Sequence, residues 1–291
     1  VRPTKLSVAL GREALAARTE SANGWLQGTP PGRTVRRVID GLIDIELADR
    51  SMSLAAKIFT SVLPLIIAAS IFSDWDLATH AIEEQLGIDS TDLSAWTSEY
   101  DATDPTFAAF GVLGLLLVAI SGTSFTRTLA RIYAKIWNVP PISARDAWRW
   151  LVVLLLVAAS AALIGVIRQV SGPHFVGRSL AILGELAVWA VVWTVCPYLL
   201  TRGALSGRVL WATGMLTASG LTVVRAAGRI VLPKLTATAE TKFGPLGVVF
   251  TSISWLFALS MVIVGAATIT KALALDESYL GRYLRGPSAG A

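Results

Sequence analysis

Apolar residues fall along the chain in six long runs separated by shorter polar or charged stretches. The first extends from Met52 to Ser73 (MSLAAKIFTSVLPLIIAASIF and its flank). At a 1.5 Å rise, about twenty such residues cross a hydrocarbon core of roughly 30 Å, so the run predicts a spanning helix. The others, at 107–125, 151–167, 179–200, 209–232 and 245–270, predict five more. The expected fold is all-α: a polytopic membrane helix bundle with six transmembrane helices, occupying residues 51–271. Ahead of it, Val35, Val38, Ile39, Leu42 and Ile45 recur at helical spacing, with Arg36, Arg37, Asp40 and Asp44 on other faces. That pattern predicts an amphipathic helix over 34–50, either lying at the membrane interface or packing on the end of the bundle. Residues 1–33, with a Gly/Pro-rich break, read as a cytoplasmic tail, and 272–291 as a second one.

Charge orients the bundle. Arg33, Arg36, Arg37 and Arg50 precede the first span, whereas Asp74 to Asp104 holds many carboxylates and no Lys or Arg. Arg127, Arg131, Lys135, Arg145 and Arg149 follow the second span, and Lys271, Arg282 and Arg285 follow the sixth. Positive residues are retained inside, so both termini are expected in the cytoplasm.

Composition narrows the classes further. With 54% hydrophobic and 15% charged residues, the chain is too apolar for a soluble domain of its length. The net charge of +5 follows from inward-facing loops, so a nucleic-acid partner is not implied. Cys196 is the single cysteine, which excludes an internal disulfide. His80 and His174 lie far apart without ligand spacing, and the acidic outer loop lacks the EF-hand pattern, so no metal site is expected. No Walker loop, GxGxxG or Ser/His/Asp set stands in a plausible context; neither catalysis nor a cofactor is expected. Residues 1–32 lack the apolar stretch of a secretory signal.

Charged residues inside the spans are the candidate site. Glu185 enters span four about six residues below its outer boundary, and Arg225 stops about seven short of it in span five, both roughly 10 Å deep. They can therefore meet. Arg229 lies one turn outward from Arg225. Ionisable groups at such depth are functional by default. In one reading Arg225 and Arg229 engage an anionic group, a lipid phosphate or a carboxylate, with Glu185 holding or competing for Arg225. In the other, Glu185 and Arg225 form a structural pair and Arg229 snorkels. Trp189 and Trp193 share a face with Glu185. Pro64 is expected to kink span one. Gly214 and Ala218, Ser254 and Ala258, and Gly265 are placed to let helices approach closely. Two groups of three spans would allow an inverted repeat, but Pro64 and Pro197 do not correspond in position.

Three segments, SLAAKIFTSVLPLIIAASIF, TLARIYAKIWNV and FGPLGVVFTSISWLFALSMVIVGA, together resemble the YihY/BrkB family of bacterial inner-membrane proteins, over roughly residues 35–275. The chain departs from the family pattern at Ala267, where an acidic residue is frequent, and at Ala130 or Arg131, where Asn is common. The resemblance implies six helices in the bacterial cytoplasmic membrane and a part in moving lipids or other envelope components, with membrane lipids, anionic ones included, as partners. A non-transporting scaffold is the alternative. The ribonuclease label once attached to some members fits least, because phosphodiester hydrolysis needs metal-binding carboxylates or a His pair facing RNA.

Overall fold

The computed structural model describes residues 28–72, 105–143, 146, 148–171 and 175–286, with the side chains of 62–72, 105–115, 161, 168–169, 171, 175–176 and 178 outside the description. Every regular element among them is a helix: α1 (Pro30–Asp44), α2 (Leu47–Phe72), α3 (Pro105–Trp137), α4 (Trp148–Ser171), α5 (Phe175–Leu200), α6 (Gly207–Phe243), α7 (Pro245–Ala274) and α8 (Tyr279–Arg285). In four of them the stretches Trp148–Ile167, Ser179–Leu200, Gly207–Phe243 and Pro245–Ala274 are long and apolar enough to cross a membrane, which makes this a membrane protein. Helices α2 and α3 run for 26 and 33 residues.

Helix α1 starts where Thr29 accepts a hydrogen bond from the Gly32 N–H (3.2 Å) and two prolines fill the first turn, where a missing N–H costs nothing. It stops at Asp44 because Glu46 takes a left-handed conformation (φ 56°), and α2 begins one residue later. The Glu46 carboxylate meets Arg50 (3.2 Å) and Lys135 of α3 (3.5 Å), which holds that turn against the bundle.

The six long helices form a closed ring in chain order: each packs on the next, and α7 returns to α2. Their shared core gathers where the basic residues cluster. Leu54, Ile132, Tyr133, Cys196, Leu200 and Ala267 are all buried there. Between α6 and α7 the approach is set by small residues: a Cβ on Gly228 would overlap the Trp255 ring, and one on Gly220 would lie 2.6 Å from Val262. Buried threonine hydroxyls are satisfied within their own helices, as when Thr213 donates to Val209 O and Thr217 to Thr213 O, both at 2.8 Å.

Past Leu232, where the fifth apolar run ends and the sequence leaves a gap before the sixth, α6 continues through Pro233 to Phe243. Proline removes only one backbone bond, and the Lys, Leu, Ala and Glu residues after it favour helix. The whole helix is about 55 Å long, well beyond a hydrocarbon core. Gly244 (φ 59°, ψ −143°) then reverses the chain, in a region open only to glycine, and Pro245 starts α7. The kink expected at Pro64 falls among side chains outside the description, as do the acidic loop 74–104 and the tail 1–27.

At the basic end, the segment after α7 ties the first helix to the last. Asp276 accepts hydrogen bonds from Thr34 (2.7 Å) and Arg37 (3.3 Å) of α1, while Arg285 donates to the carbonyls of Ala274 and Asp276. The Thr34 hydroxyl foremost, then Ser278, the Glu277 N–H and Arg37, hold the Asp276 carboxyl below the usual carboxylate range. A depressed pKa means the tie is fully present above the ordinary carboxylate pKa and is lost only as pH falls through the lowered one. At neutral pH it is closed. Asp276→Ala is therefore expected to speed hydrogen exchange in α1 several-fold while leaving the centres of α6 and α7 unchanged. Equal protection of α1 in both proteins would show that its packing on α7 suffices.

Candidate functional site

Helices α5 and α6 carry the charged residues into the bundle. Glu185 lies about 15 Å along α5 from Phe175, and Arg225 is at the midpoint of α6. The helices meet three turns nearer the basic end, where Gly214 lets α6 lie against Ala190 and Thr194. With the axes held so close, the long Arg225 side chain reaches the carboxylate: its guanidinium lies 2.5 Å from Glu185 Oε1. Their side chains are 15% and 9% exposed, so the pair is largely withdrawn from its surroundings. The Trp189 indole, one turn along α5, donates to the same oxygen at 3.4 Å. A charge-assisted contact and an indole N–H thus converge on one carboxylate, which fixes both side chains.

Arg229, one turn further toward the Gly244 turn, is exposed. The structure therefore joins Glu185 and Arg225 and places Arg229 on the surface outward of them. Trp189 and Trp193 are both buried on the face that carries Glu185. Among the packing residues, Gly214 and Ala218 lie buried on α6, whereas Ser254 is exposed.

Several polar groups enter the interior without any signature in the sequence. Tyr133 Oη, Trp193 Nε1, Ser51 Oγ and Ser260 Oγ are buried and have no hydrogen-bonding partner among the described residues. Such groups are costly in an apolar setting and mark where a polar species can be met. The only hint of them was the helical period that turns Tyr133 and Trp193 inward. Asp276 was likewise missed: its partners at Thr34 and Arg37 are remote in sequence. No group of three His, Cys, Asp or Glu among the described residues could hold a metal ion.

These features define a helical membrane protein with an ion pair inside its bundle. No protein-family model matches the chain, and no curated protein or solved structure matches it either.

Proposed function

We propose that the chain is a six-span bacterial inner-membrane protein of the YihY/BrkB type that translocates a lipid or another anionic envelope component. On this reading α2 and α3 are the first two spans, and both termini lie in the cytoplasm. The positive-inside distribution supports that orientation, as does the joining of α1 and α8 at one end of the bundle. The observation that carries the function is the buried Glu185–Arg225 pair, with Arg229 exposed one turn outward. Buried charge is expensive, and scaffolding does not require it.

In this mechanism Arg229 meets the anionic group first. Arg225 then offers a second edge of its guanidinium to the incoming oxygens while Glu185 keeps the first, so that the buried carboxylate stays compensated. Native mass spectrometry of the detergent-purified protein, beside an Arg225→Ala/Arg229→Ala variant, tests this with no prior guess of substrate. The expected result is an anionic lipid retained by the parent and lost from the variant. Equal retention would overturn the role of the arginines and leave the scaffold reading, for which α1 offers an exposed apolar stripe of Val35, Ile39 and Ile43.

A further inference from the structure

On either side of the Gly244 turn, α6 and α7 leave a groove of about 910 Å³ between them. Leu235, Leu246 and Phe250 form its walls, and Trp255, packed on Gly228, lies toward its inner end. Ala239, Ser254 and Ala258 make the room, because larger side chains there would fill it. The lining hydroxyls add no free polarity: Thr238, Thr251 and Ser254 each donate to a carbonyl of their own helix. Among the described residues the one cation on the lining is Lys242, two residues before the turn, with no ion pair to another of them.

The slot is thus one-ended. From the turn it reaches Ala258, roughly 20 Å along a membrane-length helix, with hydrocarbon walls throughout and a positive charge only at its mouth. A second helix would need its apolar face matched along the whole slot and gains nothing from the lysine. A molecule with a long apolar body and a single anionic head matches both features.

We propose that this groove is a binding site for one anionic phospholipid, with its phosphate at Lys242 and an acyl chain along Phe250 and Trp255 toward Ala258. The inference rests on the lipid reading of function and names a docking position for it. The groove's innermost α6 residue, Leu232, stands two turns outward of Arg225 on the same face, so a lipid seated there lies next to the ion pair.

The full chain reconstituted in phosphatidylcholine vesicles provides the test. A minor fraction of lipid with brominated acyl chains is added, either as phosphatidylglycerol or as phosphatidylcholine, and tryptophan emission is read. The chain has 10 tryptophans, so the Trp255 contribution is taken as the difference from a Trp255→Phe variant. Brominated phosphatidylglycerol is expected to quench Trp255 at about fivefold lower lipid fraction than brominated phosphatidylcholine, the effect of one interfacial lysine. Lys242→Gln should bring the two lipids to parity, and Ser254→Phe should remove quenching by both. Parity in the parent, selectivity that survives Lys242→Gln, or quenching that survives Ser254→Phe would each overturn the proposal, a second copy in the groove being one cause of parity. Quenching reads occupancy and not movement. Selective quenching with arginine-independent lipid retention would therefore sink the translocation path alone, and parity with arginine-dependent retention would sink the groove alone.

Discussion

Arg225→Ala is expected to destabilise the folded protein by about 3–5 kcal/mol, because it removes the guanidinium that lies against the largely buried Glu185 carboxylate. The indole contact from Trp189, at 3.4 Å, is too weak to replace a guanidinium. Restoring neutrality should recover most of the loss. An Arg225→Met/Glu185→Leu double variant removes both charges while keeping much of the packed volume, and such exchanges are often neutral or stabilising. Heating in detergent and measuring the fraction still folded would place the double variant near the parent and the single variant far below it. A single variant as stable as the parent would mean that Glu185 is compensated by something other than Arg225. The stable double variant also separates structure from function. If it keeps the anionic lipid, the pair is purely structural; if it folds but loses the lipid, the charges were present for the ligand.

The apolar runs revealed the long helices because a spanning segment needs little beyond length and hydrophobicity, and both are local properties. The Glu185–Arg225 contact was also within reach, since counting residues inward from two span boundaries placed both groups at one depth. What escaped depended on contacts between remote residues or on backbone choices with no residue signature. The break between α1 and α2 turns on Glu46, a residue type with no preference for a positive φ, so no glycine or proline announced it. Pro233 misled in the opposite direction, because a proline flanked by helix formers reads as a loop until the helix is seen to run through it. The Asp276 tie was hidden in what reads as a tail, and only folding brings Thr34 beside it.

Gly214→Ala is expected to be among the damaging single-methyl changes in the bundle, and its sign is informative. In an unconstrained helix, alanine is favoured over glycine by about 1 kcal/mol. At position 214 the added carbon would overlap Thr194 Oγ1 and lie 2.7 Å from the Ala190 carbonyl oxygen and 2.9 Å from the Thr194 nitrogen. The hydroxyl can rotate, but the backbone atoms cannot, so α5 and α6 must separate. Overpacking of this kind costs about 1–3 kcal/mol, more than the propensity gain. The separation would also pull Arg225 from Glu185 on the same two helices, so lipid retention should fall together with thermal stability. Gly265→Ala is the matched control: the residue is buried on α7, but a Cβ there meets nothing within 4 Å, and the change should be neutral or stabilising by about 0.5–1 kcal/mol. Thr194→Ala combined with Gly214→Ala should rescue only in part, since it removes the hydroxyl and leaves the carbonyl in place. Full rescue would mean that side-chain crowding alone sets the α5–α6 distance; equal tolerance of alanine at 214 and 265 would mean that the helices are not held at this spacing at all.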